Sequence, residues 1–329
     1  MTFAALLVGL CVAADVSLDV SAVPLDGPEA AAAVRPLVAI VLDREQPQPE
    51  RAAAADRLGR IGDEAVDAVS PLADVARAER ARWALKALTR FGPLAAREAR
   101  TFEQFTADPE LASVACEGLA RTVAVRPQGL AVFRAALRGH DPADALDALA
   151  LAGPAVVPLT PEVVRLADSD DGRVRRLTVP LLEASGRPEA VAVLAGRAGK
   201  DDDAAFAAVA ALGRLGRRRE LAQLFKTAGA AAMTHAIIDA RAAAGDDVSG
   251  LMGSDDAAVR LRAARLSLPS ADAIRILVAL LRDSDRQVAR EAMRSLRPHA
   301  NHPVAAELLK PNADDPPDVR RLKTAAAGR

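Results

Sequence analysis

Glycine recurs at one point of a repeating, alanine-rich pattern. Gly62, Gly92, Gly153, Gly186, Gly216 and Gly245 each close an amphipathic stretch, at intervals of 30, 61, 33, 30 and 29 residues, the second interval being two periods. A fixed period of about 30 residues marks a stack of supersecondary units, none of which buries its apolar face alone. A chain of 329 residues is also longer than one hydrophobic core usually serves, and a stack grows without needing one.

The unit is a helical hairpin. In the segment from Arg51 to Gly62, the small or apolar residues Ala54, Ala55, Leu58 and Ile61 share one face of a helix. Gly62 then supplies the left-handed backbone that ends a helix cheaply. Asp63 is expected to cap a second helix running through Val66, Val69, Leu72 and Val75. Gly92-Pro93, Gly153-Pro154 and Gly186-Arg187-Pro188 repeat this grammar with proline near the first helical position, where its missing N–H costs little.

Nine such units are expected, with first helices over 48–61, 79–91, 109–123, 141–152, 171–185, 201–215, 229–244, 255–268 and 285–297. The layout is therefore a leader over 1–22 and an all-α solenoid over 23–329, a superhelical stack of helical hairpins. Within it, a cap helix covers 29–43, the repeats cover 48–310, and a C-terminal half-repeat covers 316–327. The third unit lacks the periodic glycine. Pro158 and Pro161 should break the second helix of the fourth, and the seventh has room only for a short second helix after Gly245.

Composition narrows the function classes. Aromatic residues make up 2% of the chain, with no Tyr, which suits helices packed through small side chains better than a sheet. The net charge of −1, with Lys only at 86, 200, 226, 310 and 323, provides no global field for nucleic acid or anionic lipid. The apolar run to Ala14 reads as a signal peptide or apolar leader, too short to span a bilayer, and it is followed by small-residue patterns at 12–14 and 20–22. It points to an exported protein, periplasmic or extracellular, without stable membrane insertion once the leader is removed. A cytoplasmic chain is the alternative.

At Leu58-Gly-Arg-Ile-Gly62, Leu212-Gly-Arg-Leu-Gly216, Asp170-Asp-Gly-Arg-Val-Arg175 and Asp255-Asp-Ala-Ala-Val-Arg260 the chain resembles the HEAT-repeat family in its short, PBS-lyase-type form. The resemblance spans residues 29–327. It implies a ladder between repeats, in which an acidic residue before each first helix pairs with the Arg of a Val-Arg pair. Here the positions are Asp170 with Arg175, Asp255 or Asp256 with Arg260, and Asp315 or Asp318 with Arg320. Val288 is followed by Ala289, so the ladder is incomplete.

No motif for chemistry stands out. His140, His235, His299 and His302 form no Cys/His cluster, and the close pair His299/His302 lies in a proline-flanked loop. The run Lys200-Asp-Asp-Asp203 lacks the other ligands of a calcium loop. Cys116, on an apolar stretch, reads as a small buried hydrophobe. Arg217-Arg-Arg219 and Trp83 read as an exposed turn and a packing residue. No catalytic, cofactor-binding or metal residue is assigned and no cofactor is expected, while the residues that bind a partner stay unknown.

The expectation is a non-catalytic scaffold that holds a protein or peptide on a concave face lined by the second helices, with no nucleic-acid partner. The resemblance also implies an alternative, a repeat enzyme or accessory factor of the bilin-lyase type, since relatives of this repeat include a bilin–protein lyase and an amino-acid hydroxylase. Nucleic-acid binding, as in HEAT-like DNA glycosylases, is the weaker third option.

Overall fold

The computed structural model describes residues 20–328 apart from His140, Asp201 and Leu268. The expected leader therefore lies outside the described residues, except for its last three, Val20–Ala22, which form a 3-10 turn. Among the described residues every regular element is an α-helix or a 3-10 helix. The fold is all-α and of the helical-repeat, solenoid class. The chain divides into two compact units between Ala155 and Val156.

In the first unit, helices Gln48–Ile61, Arg82–Arg90, Ala112–Thr122 and Ala143–Leu149 pack each against the next, and helix Gly27–Leu42 covers the open side of Gln48–Ile61. In the second unit the same succession runs through Gly172–Ser185, Ala205–Arg214, Ala231–Ala243, Ala257–Leu266, Arg286–Leu296 and Pro317–Ala326. Between these first helices the chain returns through second elements such as Val69–Glu79, Pro188–Ala198 and Ala271–Ala279. Leu58, Leu85, Phe102, Leu119 and Leu146 are fully buried in the first unit, and Leu194, Leu212, Ile238, Ile274 and Leu296 in the second. Each contributes about 1.5–3 kcal/mol of transfer free energy.

The motif Leu-Gly-Arg-Ile/Leu-Gly carries two glycines with different duties. The first is a packing residue: a Cβ on Gly213 would lie 2.9 Å from the Cα and the carbonyl oxygen of Ala240, and one on Gly59 would lie 2.9 Å from the Cβ of Arg90. The second ends the helix. Gly216, at φ 67°, closes a Schellman motif in which the Arg217 N–H donates to the Leu212 carbonyl at 2.9 Å and the Gly216 N–H to that of Gly213 at 3.0 Å.

Gly62 departs from the expected left-handed cap. At φ 70° and ψ −118° it occupies a region open to glycine alone, and the chain passes directly into a 3-10 helix, Gly62–Ala68. Asp63 sits in that first turn, where its charge favours the helix N-terminus, but no side-chain cap bond forms there. The second element thus starts as 3-10 and becomes α only at Val69. The fourth unit carries a 3-10 run, Ala150–Leu159, broken at Gly153 (φ 53°, ψ −134°), before an α-helix starts at Thr160 with Pro161 in its first turn. The stretch Ala143–Leu166 has the length and apolarity of a membrane span. It is interrupted by that break, however, and carries Asp144, Asp147, Glu162 and Arg165. In the seventh unit the second element is a single 3-10 turn, Ser249–Gly253.

Candidate functional site

Arginines at the start of first helices bind backwards and forwards along each unit. Arg260 lies four residues after the N-cap Asp256, and a helical side chain there points toward the N-terminus. Its Nη1 donates to the carbonyls of Ser254 and Asp255, both at 2.9 Å, while Nε and Nη2 fork onto the Asp283 carboxylate at 2.8 and 2.9 Å. Arg175 repeats the arrangement, donating to the carbonyls of Ser169 and Asp170 at 2.9 Å and pairing with Asp202 at 3.4 Å. Arg51 forks onto Glu79 at 2.9 and 3.0 Å, donates to the Val41 carbonyl at 3.0 Å, and lies 5.0 Å from the centroid of Trp83.

The expected ladder pairs are thereby corrected. Arg175 and Arg260 take only the backbone of Asp170 and Asp255; their carboxylate partners stand before the following first helix. Asp256 is occupied as an N-cap, accepting from the Ala258 N–H at 2.8 Å. At the C-terminal end Asp315 accepts from Lys323 at 2.8 Å, from the Asn312 N–H at 2.9 Å and from Arg282 at 2.6 Å, so Lys323 and Arg282 replace Arg320. These three donors hold the Asp315 carboxyl far below the ordinary range, and the Arg260 guanidinium lowers that of Asp283 and the Arg51 guanidinium that of Glu79. The rungs fix register between helices and occupy the Asp283 and Glu79 carboxylates.

Several of the residues that stood out in the sequence have structural occupations. Trp83 is half-buried beneath Arg51. Cys116 is buried, and burial pushes its thiol pKa up, the Asp144 charge adding to it. His302 caps helix Pro303–Leu308, its Nδ1 accepting from the Val304 N–H at 3.3 Å. His140 lies outside the described residues. Among the described residues no group of three His, Cys, Asp or Glu side chains is placed to hold a metal. Lys200 pairs with Asp168 at 2.9 Å. Arg218 donates to the Ala244 carbonyl at 2.9 Å, while Arg219 stays exposed.

Two open hollows lie on the first helices, one in each unit. The first, of ≈ 290 Å³, spans three consecutive helices and is lined by Gly59, Arg60, Thr89, Arg90, Glu117 and Arg121. Its guanidiniums are each paired: Arg60 and Arg90 with Asp56 at 3.0 and 2.7 Å, Arg121 with Glu117 at 3.1 Å. The second, of ≈ 250 Å³, lies between helices Ala257–Leu266 and Arg286–Leu296 and is lined by Leu261, Arg265, Gln287, Arg290, Glu291 and Arg294. Glu291 accepts from Arg265 and Arg294, each at 3.2 Å, and Arg265 holds its carboxyl below the ordinary range against the opposing effect of burial. Arg290 is exposed and makes no ion pair among the described residues. These arginines do not stand out in the sequence because Arg is spread along the whole chain, and only stacking decides which of them share a hollow.

A class of helical-repeat protein is thus defined by the fold, with arginine-lined hollows on its first helices. No family model matches the chain, and no curated protein matches it. Among solved structures it is similar to that of human deoxyhypusine hydroxylase in complex with glycerol, with 15% identity over 81% of this chain and 95% of that one, at a TM-score of 0.31. That structure is an enzyme's, and the expectation that this chain is no enzyme does not stand. The fold itself is an all-helical repeat.

Proposed function

We propose that the chain is a helical-repeat protein that binds a protein or peptide partner along the exposed surfaces of its first helices. The observation that carries this reading is the position of the two hollows. Both are open, and each spans consecutive first helices of its own unit, so each is wide enough to take a stretch of polypeptide. The sequence had directed attention to the second helices; the hollows move the proposal to the first. Val125, at 62% exposure, and Leu151, at 47%, add exposed apolar contacts in the first unit, beside the turns that follow Ala112–Thr122 and Ala143–Leu149.

The test is affinity capture with the purified chain as bait, followed by mass spectrometry and by incubation of the same chain with a small-molecule extract. One polypeptide recovered repeatedly, and lost when Arg90 and Arg290 are both changed to Glu, supports the reading. Recovery of no recurrent polypeptide, together with turnover of a small molecule by the chain alone, replaces it with the enzymatic alternative.

A further inference from the structure

The hollow in the second unit differs from its counterpart in how its charges are paired. Three arginines and one carboxylate line each hollow, but in the first every guanidinium is paired, with Asp56 or Glu117, whereas in the second Arg290 has no ion pair among the described residues, in a chain whose net charge is −1. Arg286, Arg290 and Arg294 fall at i, i+4 and i+8 of helix Arg286–Leu296, so they form one exposed stripe in which like charges repel one another. Of the residues lining the hollow only Glu291 is a carboxylate, and its oxygens are taken by Arg265 and Arg294. Arg286 and Arg290 have no carboxylate partner among the described residues. On the next first helix, Pro317–Ala326, exposed Arg321 stands five residues after the N-cap Pro316, as Arg290 stands five after the N-cap Asp285. The excess of guanidinium therefore extends beyond the hollow onto a second helix.

We propose that this hollow docks an acidic peptide segment, whose carboxylates are taken by Arg290 together with Arg286 and Arg294. The inference rests on the partner-binding reading above and adds the chemistry of the partner. Planar guanidiniums match carboxylates with two parallel hydrogen bonds, and the stripe lacks the lysines of a diffuse field. Eight residues of helix place Arg286 and Arg294 about 12 Å apart along the axis, a distance covered by about four residues of extended peptide. Half-buried Leu261 supplies an apolar wall for the stems of the acidic side chains. Single-stranded nucleic acid fits less well: no aromatic ring lines the hollow to stack a base, and Glu291 opposes a continuous run of phosphates.

The probe is fluorescein-labelled octaglutamate, titrated with the full chain and read by fluorescence anisotropy at low and at physiological ionic strength. Octalysine and decathymidylate serve as comparison probes, and circular dichroism confirms that each variant is folded. Saturable octaglutamate binding is expected, weakened at least about tenfold by Arg290→Glu and by added salt, while Arg60→Glu in the other hollow changes it by less than about twofold. Absence of saturable binding, indifference to Arg290→Glu in a folded variant, or tighter binding of decathymidylate than of octaglutamate overturns the proposal. If a recurrent partner is captured by wild type and by Arg290→Glu alike, the acidic-segment proposal fails and the partner-binding reading survives. Recovery of no recurrent partner by the wild-type chain ends both.

Discussion

Gly213 and Gly196 both lie in helices, yet alanine should have opposite effects at the two. A Cβ on Gly213 runs into the backbone of Ala240, which cannot move without shifting a whole helix. Gly213→Ala is expected to lose about 1–3 kcal/mol in urea unfolding. Nothing lies within 4 Å of a Cβ on Gly196, so Gly196→Ala should gain about 0.5–1 kcal/mol from helix propensity alone. Equal effects at the two positions would contradict the close approach. At this scale the periodic glycines were legible, since all six have positive φ. The earlier glycine of each Leu-Gly-Arg motif was not read as a packing residue, because its reason lies on a neighbouring helix 27–31 residues away in sequence, at Ala240 or Arg90.

Between elements, the arginine rungs make stability depend on acid. Asp283 and Glu79 are held below their ordinary values of 3.8 and 4.5 by Arg260 and Arg51. Their contribution is complete above those values and is lost as pH falls toward the depressed ones. Urea unfolding across this acid range should show stability falling with pH, and Arg260→Ala should flatten that slope; an unchanged slope would remove Asp283 from the account. Arg51→Ala leaves Glu79 without its fork and Trp83 without its cation, so it should cost about 3 kcal/mol. It should also shift the emission of Trp83, the single tryptophan, to longer wavelength. An unchanged spectrum would place Arg51 away from the ring. The family resemblance implied the rungs but not their partners, because an Arg near the start of a first helix reaches back to loop carbonyls and forward to the next repeat, and both choices satisfy the same spacing.

For the whole molecule, the all-helical repeat class was legible from period and composition. The division between Ala155 and Val156 was only half legible. Pro158 and Pro161 announced a break, but the ten-residue 3-10 run that replaces a regular second helix depends on Gly153 as well. The hollows could not be read at all, since they exist only where side chains from two or three repeats meet. The measurement that tests the central claim most directly is position-resolved photo-crosslinking. A benzoylphenylalanine is placed either at Gln287, exposed on a first helix beside Arg290, or at Arg219, exposed on the second helix Arg218–Thr227. The account predicts that the Gln287 position crosslinks one recurrent acidic polypeptide and the Arg219 position does not. Crosslinking from Arg219 alone, or from neither position, would contradict it.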